Sequence, residues 1–399
     1  MKNSGGLLEL KRMNRAHIKK MIYQKAPITR AEVAESLNLA LPTVTTSVVD
    51  MLAEGILCEQ ELPGWEASPQ GGRKPLALDF VPQAAYAVGI ELGPYGTTGV
   101  VSDVRGNIIA RSKSAPASDC YETMLSQAGE QIRSLLDGTP REKVVGIGVG
   151  LPGFIETQQG VIRFSFREDW NKHILAQDLA DALRLPVVID NNVRMRVVAE
   201  EMFSHLWRPD VFAYYFISRG IACPVMMKNG VWSGYTSGAG EIGHTIVQPG
   251  GPKCSRCGHH GCLDAVAGEN AILKKCEKAC AVGQTPILQS LAQKRPLDLT
   301  LAMEAQELGD EIVCSIFAEA IKYLGISLAN TANLLSPGLV LVDGYIMRST
   351  QNQEMLRDIV SNYLYGLNSD EVRIEFLPFD QYRGARGAAG RIIKKFWIQ

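Results

Sequence analysis

The sequence predicts an α/β protein in two unequal parts, a small helical N-terminal domain with a pair of short strands and a larger bilobed body. Three observations predict it. At 399 residues the chain exceeds the usual reach of one hydrophobic core. Helix-spaced apolar residues broken by turn signals occupy its first part, up to Glu54. Beyond Pro82 the pattern changes to apolar, strand-like runs alternating with helical ones. With 46% hydrophobic residues, 21% charged residues and a net charge of −1, the balance is that of a folded globular protein and argues against disorder.

From residue 7 to 25 the apolar side chains of Leu7, Leu10, Ile18, Met21 and Ile22 recur at helical spacing, and Pro27 supplies a stop. Thr29-Arg30-Ala31-Glu32 then reads as a capping box, opening a short helix that carries Val33, Ala34 and Leu37. Asn38 and Leu39 break that helix, and Pro42 suits the first turn of a third, over residues 42–54. The segment over residues 42–52 is apolar on one side, while Thr43, Thr46, Ser47 and Asp50 can face outward. A short helix, a tight turn and a hydroxyl-rich second helix is the pattern of a helix-turn-helix, with Thr43, Thr45, Thr46 and Ser47 able to reach base edges or phosphates. Charge agrees with this reading. Lys2, Lys11, Arg12, Arg15, Lys19, Lys20, Lys25 and Arg30 face only Glu9 in the first thirty residues, a local excess that the whole-chain sum conceals.

Residues 56–61 and 76–80 are strand-like runs flanking a Gly/Pro-containing stretch, as in the wing of a winged helix. Inside that stretch, Gly71-Gly72-Arg73-Lys74-Pro75 offers an extended basic segment. Arg73 and Lys74 suit the negative potential of a narrow minor groove, or else form a solvated loop.

Cys254, Cys257 and Cys262 place three thiols within nine residues, and His244 lies ten positions upstream of the first. Zinc favours tetrahedral sulfur and nitrogen ligation, so the expected site is a closed, structural Cys3His zinc, with His259 and His260 as alternative fourth ligands. A redox pair is the competing reading, but such a pair opens a helix after a strand, and a glycine-rich knuckle surrounds this one. Cys58, Cys120, Cys223, Cys276, Cys280 and Cys314 read as buried small apolar residues. No stretch reads as a membrane span or a secretory signal, which predicts a cytoplasmic protein with reduced thiols.

In the body, residues 86–92, 99–103 and 107–110 read as strands and 121–136 as a helix, followed by a buried strand over 144–150 that ends in Leu151-Pro152-Gly153. By this point the order of motifs resembles the ROK family, which holds sugar-responsive repressors and sugar kinases. It consists of the helix-turn-helix, Gly-Gly-Arg-Lys-Pro, the glycine-rich run Gly146 to Gly153, Gly240-Glu241-Ile242-Gly243-His244 and the cysteine knuckle. The resemblance covers nearly the whole chain. It implies an actin-like, ribonuclease-H-like pair of lobes with a sugar in the cleft between them. It divides the chain into a winged helix-turn-helix at 1–82, a first lobe at 83–193 completed by a C-terminal helix at 384–399, and a second lobe at 194–383 carrying the knuckle.

Carried over by resemblance, Asn191, Asn192, Glu241, His244 and Asp264 contact sugar hydroxyls, with His244 serving metal and sugar through different nitrogens. The departures argue for a sensor rather than an enzyme. Asn192 stands where the family's kinases place an aspartate base, and an amide cannot take a proton from the sugar hydroxyl. Asp190 is the candidate substitute base, but if strand geometry continues its side chain points to the opposite face from Asn191 and the same face as Asn192, one residue pair away. The phosphate loops read Glu91-Leu92-Gly93-Pro94-Tyr95-Gly96-Thr97, Ser218-Arg219-Gly220-Ile221-Ala222-Cys223-Pro224 and Asp343-Gly344-Tyr345, with proline or bulk where free amides are needed. The resulting expectation is a homodimeric or homotetrameric regulator, a repressor by preference, that binds a DNA operator and a sugar or sugar phosphate without phosphorylating it. A sugar kinase with a DNA-binding domain and a regulator controlled by a protein partner are its alternatives.

Overall fold

The computed structural model describes residues 4–61, 76–204, 208–367 and 371–398, with side chains from residue 8 onward. Arg73 and Lys74, and with them the expected wing tip, lie outside the described residues.

Three helices, α1 (Ser4–Lys25), α2 (Arg30–Leu37) and α3 (Leu41–Ala53), pack with a small antiparallel sheet of β1 (Ile28–Thr29), β2 (Leu57–Glu61) and β3 (Leu76–Phe80), in the order β1-β3-β2. The capping box forms as read: the Thr29 side chain accepts from the Glu32 amide, and Glu32 accepts from the Thr29 amide at 2.8 Å. Asn38 ends α2 in a left-handed conformation (φ 51°), which Asn tolerates better than most residues.

The body holds two sheets. In the first lobe, β4 (Tyr86–Gly93), β5 (Gly96–Asp103) and β6 (Ile108–Ser114) form an antiparallel meander. α4 (Tyr121–Leu136) leads to β7 (Val144–Leu151), which pairs parallel with β4. A hairpin of β8 (Phe154–Glu156) and β9 (Val161–Phe164) and a helix α5 (Leu175–Leu183) precede β10 (Val187–Asn191), giving the order β10-β7-β4-β5-β6. α6 (Asn192–Phe203) leads away from this sheet, so the boundary read at 193/194 falls inside a helix. The second lobe pairs β11 (Phe212–Ile217) with a short β12 (Ile221–Ala222) and with β13 (Val225–Met227), which pairs in turn with β14 (Gly230–Val231), and runs β14-β13-β11-β15-β16 through the later β15 (Leu339–Gly344) and β16 (Arg373–Phe376). Its helices include α7 (Leu263–Ala267), α8 (Glu269–Ala281), α9 (Pro286–Ala292), α10 (Leu299–Glu307), α11 (Glu311–Leu335) and α12 (Thr350–Tyr363). Two such lobes, each a sheet flanked by helices, form the actin-like body.

The chain then returns to the first lobe through α13 (Arg383–Ile392) and a wider π-helical turn, Ile393–Ile398. Helix α13 lies on the first sheet so closely that a Cβ on Gly148 would stand 2.1 Å from the Ala388 carbonyl oxygen. That approach accounts for glycine in a buried strand.

Three expectations are corrected. Helix α11 is long and apolar enough to cross a membrane by length and composition, contrary to the reading that no stretch is. Its Phe317, Ile321, Leu324 and Leu328 are instead fully buried in the second lobe's core. Cys120 is exposed at the start of α4, where hydrogen bonds with Thr123 lower its pKa, whereas Cys223 and Cys276 are buried as read. The strand geometry of Asp190 does not continue into Asn192, because the chain turns into α6 there.

The lobes are joined by a polar contact outside the lining of the cleft. The Tyr95 hydroxyl, in the β4–β5 turn, donates to the Glu269 carboxylate at the start of α8, at 2.6 and 2.8 Å to its two oxygens. Burial raises Glu269 from 4.5 to about 7, opposed by the bond from Tyr95. The folded protein thus holds a proton that the unfolded chain has released. The associated stability is complete below the ordinary carboxyl range and is lost as pH rises toward 7. Melting temperature should fall between pH 5 and pH 7.5, and Glu269→Gln should flatten that dependence. An unchanged slope in the variant would exclude Glu269 as its source.

Candidate functional site

A cleft of about 610 Å³ opens between the lobes. The first lobe contributes Gly93, Pro94, Phe154, Phe164, Phe166, Asn191 and Asn192, and the second contributes Ser218, Arg219, Gly220, Glu241, His244 and Arg256. Four of the five residues assigned to sugar contact by resemblance therefore line one space. Asp264 does not. Its Oδ1 accepts from the Ile221 amide at 2.7 Å and its Oδ2 lies 3.6 Å from Arg256, so it holds the second wall in place.

Each side chain is positioned by the chain's local folding. Asn191 is the N-cap of α6: its Oδ1 accepts from the amides of Val193 (2.9 Å) and Arg194 (3.2 Å), and its Nδ2 donates to the Gly153 carbonyl at 3.0 Å. Asn192 Nδ2 donates to Glu91 at 3.2 Å. Asp190 lines a separate cavity of about 350 Å³ and is bound by Arg194 Nε at 2.7 Å, away from the cleft that Asn192 lines. Glu241 precedes a single 3₁₀ turn, Ile242–His244. Among the described residues nothing hydrogen-bonds its carboxylate, and burial raises its pKa, opposed by His244.

The positions that the resemblance assigns to nucleotide phosphates are filled from within. Glu91 receives Arg196 through Nε at 3.0 Å and Nη2 at 2.8 Å, and Arg196 Nη1 reaches Asp343 at 3.1 Å. Arg383 spans Asp343 at 3.0 Å and Glu200 at 2.9 Å. The Tyr214 hydroxyl donates to Asp343 at 2.5 Å. Tyr95 and Tyr345 both pack edge-on against Phe379, with ring centroids 6.0 and 5.1 Å away. Sequence reasoning flagged Glu91, Asp343, Tyr95 and Tyr345 singly. It missed Arg196 and Arg383, whose one visible signal was an arginine within otherwise apolar or glycine-rich helical stretches.

His244, Cys254, Cys257 and Cys262 converge, their donor atoms all within 4.8 Å of one another. His244 Nδ1 stands 3.8 Å from Cys254 Sγ, and the Cys257 and Cys262 sulfurs are 3.4 Å apart. Tetrahedral zinc with bonds of roughly 2.0–2.3 Å needs donors spaced at about this range. Gly261 adopts φ 79°, and a Cβ there would lie 1.8 Å from the Gln248 carbonyl oxygen, so only glycine closes the knuckle. His260 is directed to the Gly251 carbonyl at 3.0 Å and His259 lines the cleft, which leaves His244 as the histidine of the cluster.

On the helix-turn-helix, Thr46 is exposed, while Thr43, Thr45 and Ser47 are half-buried. Thr45 and Thr46 donate back to the carbonyls of Leu41 (2.8 Å) and Pro42 (3.0 Å), leaving their oxygens as acceptors. The basic patch is smaller than the sequence suggests. Arg15 pairs with Glu54 at 2.8 Å, Arg30 pairs with Glu59, and Lys19 turns inward onto Trp397, where burial lowers it to about 8. Lys11, Arg12, Lys20 and Lys25 remain exposed.

The domain is fused to the body by a shared core. Ile18, Ile22 and Phe80 pack in one cluster with Ala87, Val100, Ile392 and Ile393. Phe80 meets Trp397 edge-on at 5.0 Å, and the Tyr23 hydroxyl donates to the Val104 carbonyl at 2.8 Å.

Comparison with known proteins accords with this geometry. The chain is similar to the xylose repressor of Bacillus subtilis (strain 168), 26% identical over 390 residues that cover 97% of this chain and 96% of the repressor. Its fold matches the crystal structure of a ROK family transcriptional regulator, a homologue of the E. coli MLC protein (TM-score 0.80, 20% identity, 98% of both chains). The body also matches a ROK family glucokinase from Streptomyces griseus in complex with glucose and AMPPNP (TM-score 0.69, 21% identity, 76% of this chain and 98% of that one). The ROK family profile spans residues 87–395, so with its two lobes, its cleft and its cysteine knuckle the chain belongs to the ROK family.

Proposed function

We propose that this protein is a sugar-responsive, DNA-binding transcription regulator, acting as a repressor, whose body binds its effector without phosphorylating it. One observation carries the reading: the helix-turn-helix shares an apolar core with the lobe that forms one wall of the cleft. A ligand that binds the lobes differently in two arrangements then shifts the DNA-binding helices by its differential affinity. The repressor relative supports the regulatory half of this reading. The other half is supported by the buried Glu91–Arg196–Asp343 network and by Asn192, since phosphoryl transfer needs both a base and open phosphate contacts. A cytoplasmic location and a homodimer or homotetramer reading paired half-sites complete the proposal.

The four-donor cluster is assigned to one structural zinc. The metal would neutralise the thiolates and fix the His244 ring, with Nδ1 on the thiol side and Nε2 left for a sugar hydroxyl in the cleft. Glu241 would then accept from neighbouring hydroxyls and Asn191 Nδ2 would donate to them, and the phenylalanines would cover the apolar faces of the ring.

The test is selection of bound fragments from sheared genomic DNA with the purified full chain, followed by a sugar panel scored for release. A selected operator released by one sugar is the expected result. In parallel, wild type and Asn192→Asp supplied with ATP and magnesium should form no sugar phosphate, because Arg196 still occupies Glu91 in both. Turnover on the order of 1–10³ s⁻¹, the ordinary range for enzymes, would replace the sensor with a kinase.

A further inference from the structure

The cleft is charged in one sense. Three guanidinium groups line it, those of Arg167, Arg219 and Arg256, and Glu241 is the one carboxylate among its lining residues. Arg167 and Arg256 share the Phe166 ring, and Arg256 is tied to the backbone of Arg219. The guanidinium carbons of Arg167 and Arg256 lie 5.6 and 5.2 Å from the Phe166 ring centroid, and Arg256 Nη2 donates to the Arg219 carbonyl at 3.1 Å.

Their neutralisation within the protein is incomplete. Arg256 has Asp264 at 3.6 Å, a long separation for an ion pair. Arg167 Nε has Asp119 at 2.9 Å, but that carboxylate is 88% exposed and the contact is not a hydrogen bond, so the buried Nε remains without one. Arg219 has no carboxylate within ion-pair distance among the described residues. Stacking on Phe166 and the backbone bond account for where Arg256 sits. They do not account for like charges gathered on one cleft, where Arg219 is exposed and its electrostatic counterpart is the Glu269 carboxylate, beyond ion-pair distance. A planar guanidinium fork matches the oxygens of a phosphate or carboxylate, and such a bound anion would offset that charge.

We propose that the effector is an anionic sugar, a sugar phosphate or a sugar acid, whose negative group is held by Arg219 and Arg256 with Arg167 beside them. The proposal rests on the sugar-sensor reading above and narrows it. Glu241 and His244 take the hydroxyls, and the arginines select the charged derivative over its neutral parent.

The experiment is calorimetric titration of the full chain with matched ligands: glucose, N-acetylglucosamine and xylose, their phosphate esters, and glucuronate and gluconate, at two salt concentrations. At least one anionic ligand should bind tenfold or more tightly than its neutral parent, with an affinity that weakens as salt rises. A phosphate ester or a sugar acid in first place tells the two sources apart, and both support the proposal. Arg219→Ala, at an exposed position where the fold needs nothing from the side chain, should reduce that preference at least tenfold, and Arg219→Lys should restore part of it. Arg256→Ala should do the same, with an unchanged melting curve as the control for folding. A neutral sugar that binds as tightly as its anionic derivatives would overturn the proposal and leave the sensor reading intact. Absence of binding by every sugar, neutral and anionic, would overturn both.

Discussion

Cys257→Ala is expected to strip the protein of about one metal ion per chain and to abolish effector binding, while operator binding in the absence of effector persists. Binding of structural zinc releases about 10–16 kcal/mol in zinc-finger peptides, as much as the whole net stability of an ordinary domain. Here a bound metal would tie residues 244–262 together through the thiols and His244, and this knuckle carries one wall of the cleft, with His244, Arg256, Cys257 and His259 all lining it. Without the metal, three thiols and an imidazole have no shared ligand, and the backbone bonds of the knuckle, such as Cys254 N–H to the His259 carbonyl at 2.8 Å, must hold it alone. The helix-turn-helix lies on the first lobe and shares no core residue with the knuckle. Elemental analysis and calorimetry on wild type and variant would check this. Metal-free wild type with full effector affinity would refute the assignment.

Glu241→Ala should lower effector affinity by roughly a hundredfold and erase the effector's influence on DNA, with effector-free operator binding within about twofold of wild type. A hydrogen bond to a charged group contributes about 1.5–3 kcal/mol, and a carboxylate facing adjacent hydroxyls can make two. Glu241 has no hydrogen-bonding partner among the described residues, so its removal leaves no protein group unsatisfied and should cost the fold little. Glu241→Gln, which keeps the shape and loses the charge, should fall between the two. Gel-shift titrations of operator DNA with and without effector give the answer. A variant that still releases DNA at wild-type effector concentrations would remove Glu241 from the site.

A helix-turn-helix core, its capping box and its third helix were legible because they depend on local spacing: Val44, Val48 and Met51 recur on one side of a helix wherever that helix packs. The cysteine knuckle was equally legible, since its ligands are close in sequence and its glycines mark the turns. The shared core of the first domain and first lobe was not. It depends on Trp397 and Ile393 returning from the far end of the chain to meet Phe80 and Ile18, and no local period encodes such a contact.

Residue type and order in this protein thus determined which groups are available: a basic helical N-terminus, an amide and not a carboxylate at Asn192, and three thiols with a histidine upstream of them. Tertiary structure decided which of them are free to act. Of the eight N-terminal cations, Arg15 and Arg30 proved to be ion-paired and Lys19 buried, because Glu54, Glu59 and Trp397 approach them only once the chain has folded. Asp190 and Asn192, two positions apart, face different cavities because Asn191 caps a helix between them. Glu91 is paired with Arg196, which stands 105 positions away in sequence. Charge and hydrogen-bonding capacity are properties of single residues, but their neutralisation depends on distances of a few ångströms, and those are set by the packing of whole lobes.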